Sequence, residues 1–588
     1  MKNKINLTAA VLTLFYSMSV WAQLPPVFND NDYPALRTSA LSRKSFPPVR
    51  IVWVSDETGK EVKNKDAILK PGNGQADLNR GEYLTLINEG ANQAGILLDF
   101  GKQLQGGIEI VTTINNANPA GKIRVRFGES VAEAMSEVQK DGATNDHAMR
   151  DFEVVLPWLG RIDVGQTGFR FVRIDLLDPD SKLEIKEINA ALVYRDIPYA
   201  GSFKSNDERL NEIWLTGAYT VHLNMQDYLW DGVKRDRLVW VGDLHPEVMT
   251  VSSVFGYNEV VPKSLDLARD LTPLPGWMNG ISSYSMWWVI LHRDWYLYQG
   301  NLEYLKDQEE YLAGLLRHLA AKIDESGKEV LDGNRFLDWP SSENPEAVHA
   351  GLQSMMVMTF NAGAELSELL GDHETSQLCH QSMEKLKKHI PGTAGSKQAA
   401  ALLAISGLMP PEEANSTVLA MDGAKRMSTF YGYYMLQARA LAGDYQGALD
   451  NIREYWGGML DLGATTFWED FNVDWLDNAA RIDELTPSGK VDVHGTYGDY
   501  CYISYRHSLC HGWASGPTAW LTEHVLGVKV LEPGGRRIKL EPHLGDLEWV
   551  EGTFPTSFGI LEVKHRKLAN GKVETSFKAP RGVKIVKK

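Results

Sequence analysis

The sequence predicts a large helical unit set between two β-rich units, and three observations carry this. Between residues 201 and 526 apolar residues recur with helical periodicity. Before it, over residues 46–200, short alternating runs such as ILLDF, GIEIVTTI, KIRVRFGE and FRFVRIDLL lie between Gly, Asn and Asp clusters, the pattern of a β-sandwich. After it, over 527–588, strand patterns return in RRIKLEP, LEWVEGTFPTSFGILEVKHR and KVETSFKAP, enough for a small C-terminal β-domain packed as a sandwich.

The chain begins with Lys2 and Lys4 before the apolar run LTAAVLTLFYSMSVWA. A basic start, an apolar stretch and small residues at its end predict a signal peptide over 1–22, cleaved after Ala22. The next residue is Gln23 and not Cys, which argues against a lipid anchor. Residues 23–45, rich in Pro, Asp, Asn and Ser, read as a leader segment. No later stretch reaches the roughly 18 apolar residues of a membrane helix. The expectation is an exported protein, periplasmic or extracellular.

Within 201–526 the periodicity predicts helices over 207–229, 244–255, 282–299, 302–323, 347–370, 374–388, 429–441, 445–456 and 510–526, with weaker ones between. A helical unit of this length is a solenoid or a closed double ring. No fixed repeat period is visible, which weakens the solenoid.

Composition narrows the function. A net charge of −16 over 588 residues and a pI near 5.5 argue against nucleic acid or an anionic membrane as partner, and leave a neutral sugar open. Three cysteines, Cys379, Cys501 and Cys510, are no disulfide scaffold, and the sequence leaves a Cys501–Cys510 pair open. No GxGxxG follows a strand, and GxxxxGK[ST], HExxH and GxSxG are absent, so the usual marks of nucleotide, zincin and α/β-hydrolase chemistry are missing. His507, Cys510 and His511 form a metal-like cluster on a possible helix face, but with too few ligands for a zinc site. The plainer reading is a helix start capped by Ser508. No metal and no cofactor are expected.

The chemistry concentrates in LWDGVKRDRLVWVGDLHPE, residues 229–247. Asp231, Asp236 and Asp243 fall in a link between predicted helices, and loops on rigid scaffolds are where catalytic groups gather. Clustered carboxylates raise the pKa of at least one member, and Lys234, Arg235 and Arg237 lower others, which is how an acid and a base are set apart. The apolar insert Leu238–Val241 is expected to anchor the loop. The alternative is a structural ion-pair network with Asp243 as a helix cap. A second acid, Glu469, lies in LGATTFWEDFN, and Asp338–Trp339 in FLDWPSSENPEAVHAG. The aromatic run GWMNGISSYSMWWVILHRDWYLY, 276–298, suits either a sugar's apolar face or, at helical spacing, the core. Two separated carboxylates are the minimum for glycoside hydrolysis.

DGVKRDRLVWVGD resembles the signature DCPxRExLxWxGD of family 78 glycoside hydrolases, the bacterial α-L-rhamnosidases. GFRFVRIDLL, AGSFKSNDERLNEIW, FLDW, GATTFWE, SLCHGWASGPTAWL and GGRRIKLEPHLGDLEWVEGTFPTSFG follow the family's order over roughly 400 residues. The resemblance implies a six-hairpin (α/α)6 barrel flanked by β-domains, and exo-acting, inverting release of L-rhamnose from a plant or algal carbohydrate. It implies Asp236 as general acid and Glu469 as general base. Asp231, Asp243, Asp338 and Trp339 would hold the sugar, His511 would line the pocket, and Arg235 and Trp468 are further substrate contacts. The sequence departs from the signature at Asp236, where the family has Glu, and at Gly232–Val233, where it has Cys-Pro. Two other readings stand beside it. One is a six-hairpin hydrolase for a related or uronic sugar, with Lys234, Arg235 and Arg237 facing the anion. The other is a carbohydrate-binding protein without catalysis.

Overall fold

The computed structural model describes residues 39–79, 81–114 and 121–587. The segment read as a signal peptide and residues 23–38 of the leader lie outside the described residues. Residues 41–45, also assigned to the leader, are instead strand: β1 (Leu41–Phe46) pairs antiparallel with β9 (Lys182–Arg195).

Three strands of the N-terminal β-unit are much longer than the short runs the sequence suggests. Between them β2 (Arg50–Val54), β3 (Val62–Lys63), β4 (Leu84–Ile87), β5 (Gly95–Thr112), β6 (Lys122–Gly128), β7 (Asp151–Val155) and β8 (Arg161–Leu176) join β1 and β9 in one nine-stranded hydrogen-bonded set, β3-β4-β9-β5-β8-β6-β7. ILLDF and GIEIVTTI, expected as two strands, are one. β5 crosses the turn-like residues between them with register shifts at Asp99/Leu104 and Gly106/Ile108. Such bulges bend a strand without ending it. β5 therefore pairs with β2 in its first half and β9 in its second, around a core that includes Ile96, Leu98, Phe127, Phe169 and Ile188.

The helical unit is a ring. Six helices pack in a closed circuit: α2 (Leu244–Val254), α4 (Ser282–Gln299), α6 (Pro345–Leu370), α8 (Lys397–Ile405), α9 (Gly432–Leu441) and α11 (Gly516–Trp520), which returns to α2. Outside them lie α1 (Glu208–Asn224), α3 (Val260–Asp270), α5 (Glu309–Ala320), α7 (His373–Leu386) and α10 (Tyr445–Asp461). Every residue of α2 and α11 is buried, as befits a helix enclosed on all sides.

Four helices differ from expectation, one of them simply running on past 456 to Asp461. The one predicted over 207–229 ends at Asn224, whose side-chain amide turns to the Asp231 carbonyl at 3.3 Å. The 302–323 helix breaks after Lys306, where the buried Gln308 bonds Arg269 and Asp266 instead of continuing the turn. The 510–526 helix starts only at Gly516, so Ser508 caps nothing and His507 and His511 share no helix face.

β10 (Ser202–Ser205) leaves the lead-in to the ring and pairs with β13 (Trp549–Thr556). With β14 (Gly559–Lys567) and β15 (Val573–Lys578) it forms a four-stranded sheet. β11 (Val528–Val530), β12 (Arg537–Leu540) and β16 (Lys584–Lys587) form a three-stranded one.

A buried lysine is among the ties between the β-unit and the ring. Lys234 Nζ lies 3.2 Å from Glu129 Oε2 and 3.4 Å from Glu133 Oε1, and donates to the Tyr505 carbonyl at 2.7 Å. Glu129 also accepts the Leu509 N–H at 2.6 Å, and Arg150 completes the cluster at 2.9 Å from Glu133. Buried charges of this kind are expensive to leave alone. Lys234→Met strips two buried carboxylates of a counter-charge, and the expected loss is about 3–5 kcal/mol. Urea unfolding monitored by circular dichroism measures it. A loss below about 1 kcal/mol, the level of an exposed ion pair, contradicts this account.

Candidate active site

The loop 229–243 runs from the end of α1 to the start of α2, and Asp231 sets its shape. Its carboxyl oxygens accept the Asp236 N–H at 2.7 Å and the Leu238 N–H at 2.9 Å, while its own N–H donates to the Leu238 carbonyl at 3.1 Å. The backbone of Asp236 is thereby pinned. At Gly232 an added Cβ would sit 2.5 Å from the Arg235 carbonyl oxygen, a contact only glycine avoids. The apolar insert is a weaker anchor than expected: Val241 is buried, Val239 and Trp240 are half-buried, and Leu238 is 51% exposed. The loop is held mainly by Asp231, Val233 and Lys234.

Asp231, Arg235, Asp236, Asp243, Trp339, Glu469 and His511 line one cavity of about 310 Å³. They come from loops that feed the inner helices, so the ring gathers segments nearly 280 positions apart at its N-terminal rim. Asp338 and Trp468 are not among the lining residues. Asp338 is buried, and its carboxyl accepts from Ser341, Gln398 and Ser428. Trp468 is 1% exposed and packs edge-on against Phe471.

Glu469 is held on every side. Its Oε2 accepts the Ser508 N–H at 3.1 Å, its Oε1 accepts from Arg235 Nη2 at 3.0 Å, and its carbonyl accepts the Trp513 indole N–H at 2.9 Å. Arg235 also reaches toward Asp236, with Nε 3.7 Å from Oδ1. The other oxygen of Asp236 accepts the Trp240 indole N–H at 3.1 Å. Burial works against the charge of Arg235, but Glu469 and Asp236 outweigh it and raise its pKa.

The far wall is electrically different. His511 Nε2 lies 3.8 Å from Asp231 Oδ2, 3.9 Å from Asp243 Oδ2 and 3.8 Å from Glu469 Oε1. Burial, with Arg235 and His507 adding to it, holds the His511 pKa well below the usual imidazole range, so the ring is neutral. Burial and the Asp236 charge push Asp231 up to about 7. Burial and Asp231 push Asp243 well above the carboxylate range, although the Tyr284 hydroxyl donates to it at 2.6 Å. Asp231, Asp243 and His511 present ligand atoms within 4.8 Å of one another, a spacing open to a cation or to hydroxyls. A metal needs deprotonated ligands. Carboxyls that keep a proton both donate and accept, which suits hydroxyls.

Trp240, Asn279, Tyr284, Asn334, Arg506 and Trp513 also line the cavity and were not singled out from sequence. Of the aromatic run 276–298, Tyr284 faces the cavity, while Trp287, Trp288 and Trp295 are core. Glu247, in the first turn of α2, is fully buried with no hydrogen-bond partner on either oxygen, and burial with Asp243 and Asp231 pushes its pKa well up. The three cysteines are free.

The profile of the bacterial alpha-L-rhamnosidase 6 hairpin glycosidase domain matches residues 198–525. An alpha-L-rhamnosidase of Alteromonas sp. (strain LOR) is 22% identical over 521 residues, covering 81% of this chain and 54% of that protein. A family 78 rhamnosidase structure from Bacillus sp. GL1 superposes with a TM-score of 0.71 at 23% identity, over 87% of this chain and 55% of that one. The rhamnosidase of Klebsiella oxytoca with rhamnose bound gives 0.61 at 19% identity, over 82% and 96%. The chain spans about half the length of the Alteromonas and Bacillus proteins. The shared fold is the six-hairpin barrel with β-units at both ends.

Asp231 generates a pH test. Its folded pKa, about 7, is raised from the ordinary 3.8, so the native state keeps a proton that the unfolded chain releases. Stability from this group is full below about pH 4 and is lost as pH rises through about 7. Asp231→Asn should flatten the pH dependence of unfolding free energy over that window, by at most about 1.4 kcal/mol per pH unit. Parallel curves for the variant and the parent would show that Asp231 does not hold the proton.

Proposed function

Because the chain belongs to the bacterial α-L-rhamnosidase six-hairpin glycosidase family, we propose that it is an exo-acting glycoside hydrolase that releases terminal L-rhamnose with inversion. The substrates are plant or algal oligosaccharides or glycosides. The observation that carries the reading is Arg235 standing between two carboxylates on one cavity wall, 3.0 Å from Glu469 and 3.7 Å from Asp236. That bridge caps their separation at about 9 Å, a limit within which both the inverting and the shorter retaining spacing fall.

Glu469 is the general base. Burial raises its pKa, and Arg235 and the Ser508 N–H oppose that rise and favour the anion. Asp236 lies on the acid side. Asp231, Asp243, Tyr284 and His511 offer uncharged donors and acceptors to the sugar hydroxyls, and Trp240, Phe336, Trp339 and Trp513 offer ring faces and edges.

A uronic sugar in this cavity is disfavoured by the fate of the cations, of which Arg506, on the cavity lining, is paired with Asp146. Lys234 is spent on Glu129 and Glu133, Arg235 on Glu469, and Arg237 lies over the Trp230 ring, 4.8 Å from its centroid, and bonds the Gln166 carbonyl. A binding protein without catalysis is disfavoured because both carboxylates line the same cavity. Export remains part of the proposal and rests on residues 1–22.

The test is hydrolysis of an aryl α-L-rhamnoside followed by proton NMR of the first-formed sugar anomer. Glu469→Gln and Asp236→Asn should each lower kcat by about 10²–10⁴-fold, and the first product should carry inverted configuration. Retained configuration overturns inversion. Sugar binding without turnover of any glycoside overturns the enzymatic reading.

A further inference from the structure

The loop 136–150 of the N-terminal β-unit crosses to the mouth of the ring. Arg506, which lines the cavity, bonds Asp146 at 2.9 Å, and Gly142 packs so closely on Ser504 that an added Cβ would meet its hydroxyl at 2.1 Å. Through this loop His147 arrives with Nε2 3.0 Å from Asp236 Oδ1.

Both oxygens of Asp236 are thus approached by ring nitrogens, Oδ2 by the indole N–H of Trp240 and Oδ1 by the imidazole of His147. Oδ2 thus accepts a hydrogen bond, while Oδ1 is buried with no hydrogen bond among the described residues and faces the imidazole. Asp236 is also one methylene shorter than the glutamate of the signature it resembles, and a misplacement of about 1 Å in a catalytic group can cost on the order of 10²-fold in rate. An imidazole at hydrogen-bond distance supplies a proton that the shortened acid is poorly placed to carry alone.

We infer that His147 and Asp236 form a two-residue general acid, sharing one proton between Nε2 and Oδ1. The inference rests on the hydrolase reading above and deepens it. As the glycosidic C–O bond breaks, the shared proton passes to the leaving oxygen, and a neutral imidazole stays beside the Asp236 carboxylate. The attacking water loses its proton to Glu469, so one proton is given and one is taken in each turnover. Solvent restores both. The titratable and charged groups facing the pair include Asp146, 3.6 Å from His147 Nε2 and itself paired with Arg506, Arg235, 3.7 Å from Asp236 Oδ1, and the carboxyls of Asp231 and Glu469.

The experiment compares the full-length protein with His147→Ala and His147→Gln on aryl α-L-rhamnosides whose phenols run from good to poor leaving groups. A group that protonates the leaving oxygen matters most where the leaving group is poor. Both variants should lose about 10²-fold or more in kcat on the poorest leaving group, stay within a fewfold of the parent on dinitrophenolate, and keep KM. A uniform loss across the series gives His147 a structural role only, and an unchanged kcat on the poor leaving group gives it none. Either result overturns the inference while leaving the hydrolase reading standing. If the parent hydrolyses no rhamnoside, that reading falls first, and the pair is then decided by NMR. The ring-nitrogen resonance of His147 nearest Asp236 should move in Asp236→Asn relative to the parent, and an unmoved resonance overturns the shared proton.

Discussion

The contact on which the rest depends is the burial of Lys234 among Glu129, Glu133 and the Tyr505 carbonyl. Two β-unit carboxylates, one ring-loop cation and one carbonyl from the segment before α11 meet where water is excluded. None of the four could stay there without the others. The residues next to Lys234 are Arg235 and Asp236, and Leu509, whose N–H bonds Glu129, stands next to Ser508 and two residues from His511. The clamp therefore sets the distance between the two halves of the cavity. Asp231 then refines one half by holding the Asp236 and Leu238 N–H groups.

The cavity divides by charge. On one wall Arg235 lies 3.0 Å from Glu469 and 3.7 Å from Asp236, and opposes the rise that burial imposes on Glu469. On the other, burial raises Asp231 to about 7 and Asp243 well above the carboxylate range, and holds His511 well below the imidazole range. Removal from water raises Asp231, Asp243 and Glu469 alike, and at Glu469 a guanidinium close by opposes the rise.

Much of this was legible in the chain. Asp231, Asp236 and Asp243 share one short loop, so their meeting needed only a tight turn, and the order of β, helical and β segments followed from periodicity. Glu469 and His511 were reachable through the family resemblance, because spacing alone does not say that residues so far apart meet. Asp338 shows the limit of carrying a role over by position: its neighbours Ser341, Gln398 and Ser428 consume its oxygens, and two of the three are distant in sequence. Trp468 shows another, since an aromatic beside a cavity carboxylate is as easily core. Tyr284 sat unmarked inside a run of core aromatics. His147 carried no local signal, because its partner belongs to a different structural unit. The long strand β5 was missed because a bulge and a turn look alike in sequence.

The crossing of loop 136–150 onto the ring has a consequence for how such a protein can change over time. A barrel that kept both its acid and its base within its own helices could be fused to new neighbours freely. Here the segments 129–150, 231–247 and 494–511 touch one another at the mouth, so they must be inherited as a set. Recombination that exchanged the β-unit would carry away a partner of Asp236 along with the clamp. The molecule looks modular in its sequence, but its working parts are joined across the module boundary.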